Sequence, residues 1–194
     1  NAVIESLENN DIPGLDEDLK TRFLAESLFI RAHYFYHLVQ QFGDIPMPLK
    51  PTNSVETTAH KTKVDEVWNQ IVTDLEFAVE NLPETYQASE FGHITKYAAM
   101  HHLSRVYLTL KRSDDDLKKA LNYAEQVINS GKYSLVKSHA ELWDINNKNN
   151  SEVLFSVLYT QNAELNGDGN TAHMYFCSAY SEEHPAVKRV IEYG

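Results

Sequence analysis

The chain has 194 residues, 42% hydrophobic and 23% charged, the composition of an ordinary globular domain long enough to bury one substantial core. Its formal net charge of -11, with no clustering of Lys and Arg, excludes nucleic acid, whose phosphates reward clustered cations. No apolar run approaches the ~18 residues of a membrane-spanning helix, and the single cysteine, Cys177, excludes an internal disulfide or a thiolate-built metal cluster and reads as a small packed side chain.

Taken in chain order, Asn1–Ala25 predicts a short helical segment, a loop around Ile12-Pro13-Gly14, and the lead-in to a long helix. Asn1–Asn10 is polar with scattered apolar residues and carries no signal-peptide pattern; a processed or truncated start reads the same way. The long helix, within Arg22–Leu49, organises everything else. Leu24, Leu28, Ala32, Phe35, Val39 and Phe42 recur at three- and four-residue steps, while Phe29, Tyr34 and Tyr36 fall off that stripe. A helix apolar around so much of its circumference belongs between neighbours. Gly43 ends it, and Asp44-Ile45-Pro46-Met47-Pro48 forces an extended exit, because residues before proline avoid the helical region.

Pro51–Lys61 is a polar connection without periodicity. A second helix is predicted over Lys63–Leu82, with Val64, Val67, Trp68, Ile71, Leu75, Ala78 and Leu82 on its stripe, a capping-box-like start at Thr62 and Asp65, and a stop at Leu82-Pro83. The third spans Thr95–Lys111, with Tyr97, Met100, Ser104, Tyr107 and Leu108 on one side and Ala98 and Ala99 permitting a close approach. The fourth spans Asp114–Ser130, with Leu117, Leu121, Ala124 and Ile128 as its stripe, Ser113 and Asp116 as its cap, and Gly131 at its end. Short links predict stacked antiparallel helix pairs. A similar pattern recurs at Asp74–Leu82 and Asn122–Ser130, at a spacing longer than the ~34 residues of an ordinary tetratricopeptide repeat, so the repeat is irregular. Beyond Tyr133, Leu142-Trp143 closes a short helical turn, Asn146–Asn150 reads as an exposed loop, and Val153–Tyr159 as a short buried strand. From Gln161 the chain is loop-like.

The block A-E-S-L-F-I-R-A-H-Y-F-Y-H-L-V-Q-Q-F-G-D-I-P-M-P-L resembles the central signature of the SusD/RagB family, approximately E-x-x-F-L-R-A-x-x-Y-F-x-L-V-x-x-F-G-D-V-P-L. Glu26, Phe29, Arg31, Ala32, Phe35, Leu38, Val39, Phe42, Gly43, Asp44 and Pro46 stand in the matching places. The second, third and fourth helices and the W-D-I-N-N-K-N-N-S-E-V-L-F-S-V stretch are similar to the family's following elements. The resemblance implies a mainly α fold, an irregular tetratricopeptide-like array of helix hairpins with a short strand and loop region. Residues 1–140 would form the scaffold, and 141–194 the start of an incomplete, ligand-facing part. It implies a surface nutrient-binding lipoprotein on the extracellular face of the outer membrane, capturing an oligosaccharide for a partner TonB-dependent transporter. The family's lipid-bearing N-terminal cysteine has no counterpart here, since Cys177 is the only cysteine, so the anchor is assigned to the full-length protein.

The residues themselves mark no catalytic centre. No phosphate loop, nucleophile elbow or triad order appears, and none of the 28 acidic residues has a context that marks a glycosidase pair. His33 and His37 are four apart, the spacing that puts two imidazoles on one helix face for zinc, but Tyr34 stands where a metalloprotease has Glu and no third ligand is tied to them. His101 and His102 are adjacent and point in different directions. Asn166-Gly167-Asp168-Gly169-Asn170 offers calcium-type oxygens without the closing Glu of an EF-hand, and reads as a turn. Asp114-Asp115-Asp116 is explained by its helix start. No metal or cofactor is expected. Sugar rings need flat apolar faces flanked by amides and carboxylates, which makes Tyr175, Tyr180, Asn166 and Asp168 the candidate ligand residues. Two other classes stay open at this point: a soluble tetratricopeptide-like adaptor gripping a peptide, and a helical glycan-cleaving enzyme.

Overall fold

The computed structural model describes residues 1–9, 12–55, 57–144 and 146–158. Six helices follow one another: α1 (Ala2–Glu8), α2 (Glu17–Phe42), α3 (Val64–Asn81), α4 (Lys96–Leu110), α5 (Asp114–Asn129) and α6 (His139–Leu142), with a single 3₁₀ turn at Ala88–Glu90. The chain divides into two units, Asn1–Ser156 and Val157–Gly194, and all six helices lie in the first. Packing follows chain order: α1 lies on α2, α2 on α3, α3 on α4 and α4 on α5, the arrangement of stacked helix hairpins.

The core forms where small residues let the helices close up. Ala25 and Ala32 of α2, Ala78 of α3 and Ala99 of α4 are fully buried, and Phe29, Tyr36, Ile71, Leu75, Leu103, Val106 and Tyr107 fill the space between them. Phe29 and Tyr36 lie off the predicted stripe and are buried, as an all-round apolar helix requires; Tyr34 and Phe42 are exposed. One ion pair is sealed into the α2–α3 seam. Asp74, 2% exposed, accepts from Arg31 Nε (2.8 Å) and Nη2 (2.7 Å) and from Gln70 Nε2 (2.8 Å).

Several predicted details are corrected. The long helix starts at Glu17, before Arg22, because Asp16 caps it by accepting from the backbone N–H groups of Asp18 and Leu19. Its end at Gly43 is as predicted, with φ at 66°, a left-handed value that glycine tolerates. The Thr62/Asp65 capping box does not form. Asp44, twenty residues upstream, accepts from Val64 N–H (3.0 Å) and from Lys63 Nζ (3.0 Å), while Thr62 N–H donates to Ile45 O (2.8 Å). On α4, Leu108 faces solvent.

The stripe assigned to the fourth helix also turns outward, with Leu121 59% and Ile128 73% exposed. The neighbouring stripe is the packed one: Asp116, Ala120 and Val127 are buried and Tyr123 packs against the core. The tight α4–α5 turn sets this rotation. Lys111 takes a left-handed conformation (φ 44°), Asp116 accepts from Arg112 N–H (3.0 Å), and Ser104 Oγ donates to Ala120 O (2.7 Å). The strand predicted over Val153–Tyr159 is absent from 153–158. No described segment exchanges ladder hydrogen bonds with it, and Val153 N–H instead closes a turn on Asn150 O (3.2 Å). Nor is the segment buried: Leu154 packs against the core and Phe155 lies edge-on to the Phe29 ring at 5.3 Å, while Val157 and Leu158 are exposed.

Candidate ligand-binding site

The connection between α3 and α4 is held closed at its base, where Lys96 N–H donates to Pro83 O (2.8 Å), and the loop above is pinned to α2 by side chains. Tyr86 donates its hydroxyl to Glu26 Oε1 at 2.7 Å, and His93 Nδ1 lies 3.0 and 3.1 Å from the two oxygens of the same carboxylate. The Tyr86 and His93 rings stack at 5.2 Å, the Arg22 guanidinium lies 5.5 Å from the Tyr86 ring, and Arg22 pairs with Glu90 at 3.3 Å. Burial first, then the bond to Glu26, pushes the Tyr86 hydroxyl well above its usual range, so it stays a proton donor at neutral pH. Glu26 thus acts as an anchor.

This pinned loop and the stretch from Lys132 to Ser156 enclose a cavity of about 440 Å³, within the ~300–1,000 Å³ of small-ligand sites. Tyr86, Phe91, Tyr133 and Phe155 give it aromatic walls, with Gln87 and Asn149 at its edges. Tyr133 is oriented by a 3.2 Å hydrogen bond between its hydroxyl and Thr95 Oγ1. The asparagine-rich turn, expected to be exposed throughout, buries Asn150, because that one amide satisfies three backbone groups. Its Nδ2 donates to Asn147 O (3.0 Å) and Leu142 O (3.5 Å), and its Oδ1 accepts from Glu152 N–H (3.0 Å).

Val153–Ser156 border a second cavity of about 490 Å³, floored by α2 and α4. Here the structure brings together histidines that sequence spacing treated apart. His33 meets His37 with ring centroids 4.7 Å apart, as the four-residue step predicts, and His102 joins them at 5.3 Å from His33. His102 also packs against Tyr36 (4.8 Å) and Phe29 (5.6 Å). Burial, then the His33 and Arg105 charges, drives the His102 pKa down to about 3; burial likewise lowers His33 and His101. Among the described residues no three His, Cys, Asp or Glu side chains converge to hold a metal ion. The acidic run Asp114-Asp115-Asp116 opens α5, where Ser113 Oγ accepts from Asp116 N–H (3.3 Å). Tyr175, Tyr180, Asn166, Asp168 and the rest of the Asn166–Asn170 loop lie outside the described residues, as does Cys177. The aromatic cavity residues were missed because Tyr86, Phe91 and Tyr133 sit in connections without periodicity. The one usable signal was the aromatic density flanking the third predicted helix.

Comparison with known proteins places this scaffold. The SusD-like family model described as "Starch-binding associating with outer membrane" matches residues 1–108. A SusD-like protein of Formosa agariphila, P25, is 26% identical over 81% of this chain and 29% of its own length. A solved laminarin-binding SusD-like protein is 29% identical, with a TM-score of 0.72 over 82% of this chain and 35% of that one. A structure determined with xylogluco-oligosaccharide is 26% identical, with a TM-score of 0.74 over 82% and 32%. The chain therefore spans about a third of the length of these relatives. The stacked helices of α1–α5 match their mainly helical fold, and with more than half of its residues inside the family model, the chain belongs to the SusD-like family.

Proposed function

We propose that this protein binds an oligosaccharide at the outer face of the outer membrane and delivers it, without cleaving it, to a TonB-dependent transporter. The lipid anchor belongs, on this reading, to the full-length protein. The observation that carries it is the aromatic and amide-edged cavity held on a family scaffold: tyrosine and phenylalanine faces suit the C–H faces of pyranose rings, and Gln87 and Asn149 suit their hydroxyls. Relatives named for laminarin or determined with xylogluco-oligosaccharide support the same ligand class. Residues 141–194 are assigned the ligand-facing role and 1–140 the scaffold, and Tyr175, Tyr180, Asn166 and Asp168 stay candidate ligand residues by residue type.

Calorimetric titration with laminarin- and xyloglucan-derived oligosaccharides tests the binding. Detergent extraction of the tagged protein from the outer membrane tests the partnership. Saturable binding, weakened about tenfold by Phe91→Ala or Tyr175→Ala, and a co-purifying β-barrel in stoichiometric amount are expected. A protein that binds no glycan and brings down no barrel ends the proposal, and turnover of the glycan ends its non-enzymatic part.

A further inference from the structure

The second cavity has a polar make-up that the scaffold does not use. His102 is 5% exposed and borders the cavity; among the described residues its Nε2 has no hydrogen-bond partner, and it lies fully covered beneath the cavity lining, an expensive group to leave unmatched in a core. Arg105 lines the same wall from the next turn of α4. Its guanidinium lies 5.5 Å from the Tyr36 ring, and no carboxylate among the described residues lies within ion-pair distance of it. Within a chain of net charge -11, this wall is short of acid. His33 and, behind it, His37 come from α2, and His101, His102 and Arg105 from α4. Glu152, the only carboxylate lining the cavity among the described residues, comes from the facing loop and accepts from Val136 N–H (3.0 Å). Trp143, 72% exposed, and Phe155 add flat apolar faces beside this cationic corner.

We propose that this cavity is a subsite for an acidic sugar residue, a hexuronate unit of an oligosaccharide. The carboxylate sits on Arg105 and the His33 and His101 imidazoles, and the ring rests on Trp143 or Phe155. The inference deepens the oligosaccharide-binding reading and rests on it. A planar fork and a carboxylate match in shape and charge, and a carboxylate beside His33 and His101, whose pKa values burial lowers, raises them again. Binding therefore takes up protons, and affinity rises as pH falls from 8 to 6.

The test is calorimetric titration of the purified protein at pH 6 and 8, in two buffers of different ionisation enthalpy. The probes are tetragalacturonate, a glucuronate-bearing xylo-oligosaccharide, their methyl esters, and neutral laminari-oligosaccharides. At least one acidic probe binds about tenfold or more tighter than its ester, with net proton uptake. Arg105→Gln and His101→Gln, both at exposed positions, each lose that preference while the circular-dichroism melt is unchanged. Acid and ester binding alike, or an acid preference that survives Arg105→Gln, overturns the subsite. Neutral glycans binding while neither acidic probe does overturns it too, and leaves the broader function standing. Failure of every glycan ends both.

Discussion

Two polar insertions interrupt the same apolar helix pairings, and they are built on opposite logic. In the α2–α3 seam, Asp74 has every near donor matched to it: two from Arg31 and one from Gln70, all within 2.8 Å. In the α2–α4 seam, His102 is almost as deeply buried and its Nε2 is matched to no group among the described residues. A satisfied buried pair fixes how two helices sit; an unsatisfied group in the same setting is a cost that the packing alone does not repay. The difference separates a site of assembly from a candidate site of recognition, although both lie against α2.

The largest effect should come from breaking the matched pair. Asp74→Ala leaves Arg31 charged and unpaired in the seam and should cost about 3–5 kcal/mol in urea unfolding. Arg31→Met combined with Asp74→Leu should recover much of that loss, because it removes both charges at once. Additive losses in the double variant would mean that the two residues act separately. Next, Glu26→Ala frees both Tyr86 and His93 and should cost about 2 kcal/mol, while collapsing ligand binding in the aromatic cavity.

The unmatched region should show itself in acid. His102 has its folded pKa held below the unfolded value of 6.5, so the unfolded chain takes up a proton first and stability falls as pH drops below about 6.5. Between pH 7 and 5.5 the loss from this residue is about 1 kcal/mol. His102→Leu should remove it and raise the melting temperature at pH 5.5; an unchanged acid limb would mean that His102 does not resist protonation. Smallest of all, Thr95→Ala deletes the cap on Ala98 N–H and should cost about 1 kcal/mol or less, without touching either seam.

Helix existence was legible because Val67, Ile71, Leu75 and Ala78, or Leu28, Ala32, Phe35 and Val39, announce themselves by period. Which side of α5 packs was not. Its two adjacent stripes are both apolar enough, and the choice between Leu121 and Ala120 is made by a turn whose left-handed Lys111 leaves no trace in the pattern. The strand near Val153 misled on both counts: Val157 and Leu158 are exposed, and a short apolar run says nothing of what its backbone pairs with. The His33–His37 face was readable from a four-residue step, but the arrival of His102 from another helix is a tertiary fact. The ligand candidates beyond residue 158 rest on residue type alone.

One further consequence concerns the excursion between α2 and α3. Asp44 holds Val64 and Lys63 while Ile45 bridges Thr62, so both ends of the intervening chain are stapled side by side. Once the ends are tied, doubling the length between them costs only about 0.6 kcal/mol of closure entropy. Segment 48–60 is thus a cassette position: it tolerates grafted sequence of many lengths without disturbing the helices it joins, a natural place to install a tag, a label or a new recognition loop.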